Sequence, residues 1–155
     1  MLRVISEFFD PGAELSAFEK RAADAGAIVS FLGKVRGTAG EKTVGTLYLE
    51  HFPGVTERSI ASIEAEAKKR WRIEDSLIVH RVGRLEPGEP IVLVCVASAH
   101  RREAFEAADF LMDYLKTEAV FWKKEIRDDG EAWIEPREAD YKDVARWKKP
   151  MRKEK

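Results

Sequence analysis

The hydrophobic pattern of the chain switches between the two-residue period of β-strands and the 3.6-residue period of α-helices. Three stretches carry apolar residues at helical spacing and predict helices over about residues 10–25, 56–71 and 98–117. Strand-like runs fill the intervals, over residues 1–9, 27–36, 43–51, 77–85, 91–97, 121–127 and 131–135. Strand pairs and helices therefore alternate along the chain, which predicts a single α+β domain with a mainly antiparallel sheet and about three helices.

Turn-forming residues separate these elements. Ser98 is placed to cap the free amides at the start of the third helix. The segment Glu86–Pro90 predicts the turn of one hairpin, and Asp128–Gly130 predicts the turn of a second, C-terminal hairpin. Two glycines and small polar residues in Gly37–Lys42 predict a mobile loop, with Arg36 at its edge.

The 155 residues and the 45% apolar composition are those of one compact domain. The single cysteine, Cys95, cannot form an internal disulfide and fits a reducing compartment. No run approaches the ~20 apolar residues that cross a bilayer, and the N-terminus lacks the apolar core of a signal peptide. We therefore expect a cytoplasmic protein without a membrane partner.

Charge is balanced overall but concentrated at the C-terminus. Lysine and arginine total 27 against 28 acidic residues, a formal net charge of −1, so no chain-wide attraction to nucleic acid is expected. Most residues from Arg146 to Lys155 are basic. We divide the chain into a domain over residues 1–140 and a basic tail over residues 141–155. Residues 146–155 are either a frayed, solvated terminus or a surface that docks onto a partner.

Motifs for metals and nucleotides are absent from the sequence. It has no Gly-rich phosphate loop, no His-Glu-x-x-His, no Cys-x-x-Cys and no Gly-x-Ser-x-Gly. His51, His80 and His100 show no ligand spacing, so neither a metal site nor a bound cofactor is expected. Cys95 lies in the apolar run Ile91–Ala97, where burial raises the pKa of a thiol, so we do not expect it to act as a nucleophile.

Cations occur at both ends of the third predicted helix. At its start, His100 and Arg101 add charged donors to the free amides, so this end either holds a phosphate or is a helix terminus with ordinary surface charges. At its end, Lys116 precedes Lys123, with the strand-like Val120–Trp122 between them. The chain should therefore reverse there. The two ammonium groups then either converge, each lowering the pKa of the other, or remain two solvated lysines.

Five segments in register resemble the large subunit of molybdopterin synthase. They are Gly26–Arg36, Leu49–Gly54, His80–Leu85, Ser98–Arg101 and Leu115–Glu125. One departure is Val120, where that family usually has proline. The resemblance covers roughly residues 1–140 and implies a molybdopterin synthase large-subunit-like domain over that range, with the family's hammerhead-like α/β fold.

The resemblance also implies a reaction and its partners. Members of that family insert two sulfurs into cyclic pyranopterin monophosphate and so form the dithiolene of molybdopterin. The sulfur arrives as a thiocarboxylate on the C-terminal Gly-Gly tail of a small ubiquitin-like subunit. Two large subunits form a homodimer with one small subunit at each end, so a heterotetramer is implied.

The functional residues of the family can be carried onto this sequence by position. Lys116 and Lys123 match its catalytic lysines, which would position the thiocarboxylate and assist proton transfer or hold the acyl tail. Arg137 matches an arginine contributed across the dimer interface to the neighbouring site. The substrate-binding positions implied in this way are Lys34, Val35, Arg36, His100, Arg101, Lys124, Glu125 and Arg137.

Two other functions stay open on the sequence alone. The chain could be a non-catalytic anion- or RNA-binding module that uses its basic tail, although balanced charge and the lack of an aromatic stacking motif argue against RNA. It could also be a scaffold subunit with a decayed active site, but every matched site residue is present.

Overall fold

The computed structural model describes residues 1–39 and 42–148, which form nine strands, four helices and a final 3-10 turn over Arg146–Lys148. The strands are β1 (Leu2–Ile5), β2 (Ala27–Lys34), β3 (Thr38–Ala39), β4 (Lys42–His51), β5 (Ile73–Arg81), β6 (Gly83–Leu85), β7 (Pro90–Ser98), β8 (Phe121–Arg127) and β9 (Gly130–Ile134). The helices are α1 (Pro11–Arg21), α2 (Val55–Arg70), α3 (Arg101–Thr117) and α4 (Glu138–Ala145).

The first sheet has the strand order β1-β5-β7-β2 and carries helices on both faces. Its central strands, β5 and β7, are apolar and buried over most of their length, as strands covered on both faces should be. On one face, Phe18 of α1 packs with Leu77. On the other, α2 and α3 pack against Ile78 and Val94. Because side chains alternate along a strand, His80 lies on the same face as Ile78, toward α2 and α3.

The second sheet has the order β3-β4-β8-β9, and β6 also pairs with β4. One strand was predicted over residues 77–85, but the chain bends at Gly83, whose φ is 86°, and β6 joins the second sheet. The predicted mobile loop Gly37–Lys42 contains the short strand β3, where Thr38 pairs with Thr43 of β4. Both predictions were therefore wrong in part. Gly40 and Glu41 lie outside the described residues.

The strand pairing confirms the predicted α+β class. Within the described residues only β1 and β5 pair in parallel, and every other strand pair is antiparallel. The strands form two sheets, however, and not one. The predicted C-terminal hairpin is confirmed as β8–β9, with Gly130 at a φ of 125° in its turn. No helix in residues 1–39 or 42–148 is long and apolar enough to cross a membrane.

Three of the four helices coincide with predicted ones, but the cap of α3 differs from the prediction. Ser98 is the last residue of β7, and its hydroxyl donates to the carbonyl oxygen of Arg72 at 2.8 Å. The helix begins at Arg101, with His100 as its N-cap residue. The expected cap was wrong because the backbone pairing of β7 with β2 and β5 extends through Ser98.

The helix α4 was not predicted, and it spans residue 140, where the domain was expected to end. In the turn after α4, the Trp147 indole packs edge-on against Trp71, with ring centroids 5.5 Å apart. Arg146 forms an ion pair with Asp113 at 2.7 Å. The first alternative, a frayed and solvated terminus, therefore does not hold for residues 146–148. Residues 149–155 lie outside the described residues, and the division at residue 140 stays a prediction.

Candidate active site

Lys116 lies in the last turn of α3, above one end of the first sheet. The helix follows β7 after a two-residue connection and packs back along it, so its C-terminal end lies over the start of β7. Leu115 is buried in the same hydrophobic cluster as Val92, which lies near that start. Val92 in turn pairs with His80 of β5. The packing of α3 thus brings Lys116 to the His80 end of the sheet.

Lys123 reaches the same place from the second sheet. The chain reversal predicted between the two lysines is confirmed, because α3 ends and β8 begins at Phe121. The buried hydroxyl of Thr56 holds this reversal by donating to the carbonyl oxygen of Val120 at 2.7 Å. Phe121 and Lys123 share one face of β8. The Phe121 ring stacks on the imidazole of His80, with ring centroids 4.1 Å apart.

The two lysines share one electrostatic environment. Burial lowers the pKa of the Lys123 ammonium below its ordinary value, and the charge of Lys116 lowers it further. Glu125 raises this pKa, and Arg36 lowers it. Lys123 therefore has a larger neutral fraction than a solvated lysine, which suits it to proton transfer.

The segment Lys34–Arg36 is anchored by its middle residue. Val35 is buried, and its N–H and carbonyl groups are hydrogen-bonded to the loop before β7 at 3.0 and 2.8 Å. The side chains of Lys34 and Arg36 are exposed on either side of it. The Arg36 charge acts on Lys123 and thus belongs to the lysine cluster. Val35 fixes the backbone of the segment, while its own side chain packs into the core.

His100 and Arg101 lie at the opposite end of α3. The 1.5 Å rise per helical residue separates the Cα atoms of Arg101 and Lys116 by about 22 Å. Both side chains are exposed beside an open depression that Gly26 also lines. A Cβ atom at Gly26 would lie 2.2 Å from the carbonyl oxygen of Ala99, so the start of β2 lies directly against this end. Within one chain, His100 and Arg101 do not join the lysine cluster.

Lys124 and Glu125 leave β8 on opposite faces. Glu125 shares the face of Lys123, and its Oε2 accepts a hydrogen bond from the guanidinium of Arg127 at 2.6 Å. Lys124 points to the other face, where its Nζ lies 3.3 Å from a carboxylate oxygen of Glu131. The structure therefore brings Glu125 to the cluster and turns Lys124 away from it.

Arg137 is the N-cap residue of α4 and is 71% exposed. Its guanidinium lies 3.2 Å from the carboxylate of Asp140. Partial burial alone would raise the pKa of Asp140, but hydrogen bonds from Arg137 outweigh it and lower this pKa, and the charge of Lys116 adds to the lowering. α4 thus brings a carboxylate toward the lysines of its own chain. The role of Arg137 in a neighbouring site stays a prediction.

Comparison with known proteins decides the family. A family model described as MoaE protein matches residues 4–118. The molybdopterin synthase catalytic subunit of Cereibacter sphaeroides is 51% identical over 144 residues, covering 93% of this chain and 97% of the relative. That of Pseudomonas aeruginosa is 50% identical over 146 residues, covering 94% and 97%. The structure of the molybdopterin biosynthesis MoaE protein from Burkholderia ambifaria MC40-6 matches with a TM-score of 0.81 at 46% identity, covering 95% of this chain and 97% of that one. The chain belongs to the MoaE family.

Membership of the MoaE family confirms the resemblance seen in the five sequence segments. The match to the B. ambifaria MoaE structure also supports the α+β fold described above. The matched range of the family model includes Lys116 and ends before Lys123. The roles of the individual site residues therefore remain predictions, both for the lysines and for the substrate-binding positions.

The sequence did not predict three other residues near the lysines, which are His80, Phe121 and Asp140. The buried His80 imidazole stacks on the partly buried Phe121 ring there, and Asp140 approaches from α4. No spacing rule connects these residues, which come from different elements. The available signal was that His80 lies inside one of the five recognised segments. In the part of the chain that the structure describes, no group of His, Cys, Asp and Glu side chains could hold a metal ion.

Proposed function

We propose that this chain is the catalytic subunit of a molybdopterin synthase. It converts cyclic pyranopterin monophosphate to molybdopterin by inserting two sulfurs, which a thiocarboxylated small subunit donates. The observation that carries the proposal is the cluster of Lys116, Lys123 and Arg36, in which burial and neighbouring cations lower the pKa of Lys123. This cluster occurs in a chain of the MoaE family.

The cations suit two anionic reactants, the substrate phosphate and the thiocarboxylate. Arg36 binds the phosphate, and the Lys116 ammonium positions the thiocarboxylate. The sulfur forms a bond to a pterin carbon while the oxygen substituent of that carbon takes a proton from Lys123 and leaves. Water then attacks the acyl carbon and the acyl–sulfur bond breaks, which leaves sulfur on the pterin and a free carboxylate on the carrier. Lys123 accepts and returns the protons of these steps.

The sulfur must come from a partner and not from a thiol of this chain. Cys95 is the only cysteine, and it is fully buried between β2 and β5. Burial raises the pKa of its thiol to about 11. A small ubiquitin-like subunit fits the donor role, because its narrow and flexible Gly-Gly tail can reach a partly enclosed cluster.

The complete site requires a second copy of the chain. Within one chain, Arg101 and Lys116 lie about 22 Å apart along α3, so their side chains cannot both bind the same small substrate. In a homodimer, the neighbouring chain supplies His100, Arg101 and Arg137 to the lysine cluster of the first. One small subunit at each end completes a heterotetramer. We place this assembly in the cytoplasm.

Reconstitution from purified components tests the proposed function. This chain is mixed with a thiocarboxylated Gly-Gly carrier and the cyclic pterin, and molybdopterin is measured as its fluorescent oxidation product. We expect product to form in proportion to the thiocarboxylate supplied, with two carriers consumed per pterin. The same carrier with a plain carboxylate is the control. A chain that binds the carrier yet forms no dithiolene would refute the proposal.

A further inference from the structure

His80 is a buried ionisable residue to which the reaction above assigns no role. It lies on β5 with 8% of its side chain exposed. Two contacts fix its ring: the stacking on Phe121 and a 2.8 Å hydrogen bond between Nδ1 and the carbonyl oxygen of Arg81. The imidazole therefore has one defined position and orientation.

The Arg81 contact also selects the tautomer of His80. A carbonyl oxygen only accepts hydrogen bonds, so Nδ1 must carry the proton that it donates. In a neutral imidazole the other nitrogen, Nε2, is then a hydrogen-bond acceptor. Burial, together with the charges of Lys116 and Lys123, lowers the pKa of His80 to about 4. The ring is consequently neutral at physiological pH, and Nε2 keeps its lone pair.

The packing of three elements places both lysines near this ring. Lys116 follows Leu115, which is buried in the same hydrophobic cluster as Val92, the register partner of His80. Lys123 shares the β8 face of Phe121, whose ring covers the imidazole. Their charges act on His80 from α3 and β8 respectively. The imidazole thus forms the base of the lysine cluster.

We propose that His80 is a positioning residue for the lysine pair, because its Nε2 accepts a hydrogen bond from one of the two amines and so holds that amine in place. This inference rests on the proposed function. An uncharged acceptor suits the task, because it holds an amine in one place without the charge of a carboxylate. A carboxylate at the same position would raise the pKa of a lysine and make it a poorer proton acceptor.

The first experiment measures the hydrogen bond without any substrate. The imidazole nitrogens of the full-length protein are labelled with ¹⁵N and observed by NMR at neutral pH. We expect a protonated Nδ1, an unprotonated Nε2, and a shift of the Nε2 resonance toward that of a free acceptor in Lys116→Met or Lys123→Met. A protonated Nε2, or an Nε2 resonance unchanged in both variants, overturns the inference and leaves the proposed function untouched.

The second experiment separates positioning from packing. His80→Asn keeps a donor near the place of Nδ1, whereas His80→Gln extends an acceptor toward the place of Nε2. We expect His80→Asn to lower kcat about tenfold with little change in KM or carrier affinity, and His80→Gln to recover most of the loss. Ile78→Val, on the same face of β5, is the packing control and should lower thermal stability with kcat unchanged. Equal kcat losses in His80→Asn and His80→Gln overturn the positioning role.

Discussion

The two ends of α3 hold their cations in different ways. At the C-terminal end, Lys116 and Lys123 lie with Arg36 and His80 in a cluster built from the helix, two strands and the residues after β2. At the N-terminal end, His100 and Arg101 are exposed on the first residues of one helix. One end of the helix therefore belongs to a cation cluster with a partly buried member, Lys123, and the other carries only exposed cations.

The partial burial of Lys123 is the physical difference between the two ends. Burial disfavours a charged amine and lowers the pKa of Lys123, which turns a cation into a group that can exchange a proton. An exposed helix N-terminus offers amides and charged donors to an anion but leaves its cations solvated. We therefore expect proton transfer only at the end that holds Lys123, and phosphate binding by the exposed Arg36 at that end and by Arg101 at the other, and substitutions at the two ends test this division.

Lys116→Ala should have the largest effect. Loss of a group that positions the thiocarboxylate or moves a proton should lower kcat for molybdopterin formation by about 10² to 10⁴, with folding and carrier binding nearly intact. Single-turnover assays of dithiolene formation measure the loss. Lys69→Ala is the matched control, because Lys69 also lies in the last turn of a helix and is exposed. Undiminished dithiolene formation in Lys116→Ala would show that Lys116 has no catalytic role.

Mixing two defective homodimers should restore activity if the two ends meet across a dimer. Lys116→Ala and Arg101→Ala proteins are exchanged in equal amounts and assayed at low substrate concentration. Half of the dimers are then mixed, and one of the two sites in each has both residues intact. Activity should return to about a quarter of the wild-type value. If both residues served a site within one chain, every chain would carry a defect and mixing would restore nothing.

Acid should destabilise the folded chain through His80. Its pKa falls from 6.5 to about 4 on folding, so between these pH values the unfolded chain binds a proton that the folded chain does not. The free energy of unfolding is therefore highest above pH 6.5 and falls toward pH 4, by about 2–3 kcal/mol from this group. Urea unfolding at pH 7 and pH 4.5 measures the fall.

His80→Phe supplies the reference for that measurement. It keeps a ring against Phe121 and removes the titrating group, while all carboxylates that titrate in the same interval are common to both proteins. The fall in unfolding free energy between pH 7 and pH 4.5 should be smaller in the variant. Equal falls would show that His80 is protonated equally easily in the folded and unfolded states.

The sequence predicted secondary structure better than it predicted the site. Local signals such as the Asp128–Gly130 turn and the spacing of apolar residues in α3 act over a few residues, and the structure confirms both elements. The break at Gly83 was missed because the apolar pattern continues through it, while β6 leaves for another sheet. The predicted strand is divided because β5 and β6 pair with different strands, and no local sequence pattern indicates such long-range pairing.

The lysine cluster was predicted only in part for a related reason. A chain reversal between Lys116 and Lys123 follows from helix and strand patterns. The imidazole beneath them comes from β5, and it meets Phe121 only because β8 packs over the end of the first sheet. Strand alternation puts Lys123 and Lys124 on opposite faces of β8, whereas the family resemblance implied both as site residues.

Arg36→Ala and Arg101→Ala should have smaller effects that separate the two ends. Each removes a charge-assisted contact to the phosphate, so KM for the pterin should rise about tenfold while saturating substrate restores kcat. Arg36 also lowers the pKa of Lys123, so its removal should raise that pKa and move the pH profile of kcat toward alkaline pH. Arg101→Ala should leave the profile in place, because Arg101 contributes binding alone. A kcat that saturating substrate does not restore would show that binding is the wrong role, and a displaced profile in both variants would show that the two ends are not distinct.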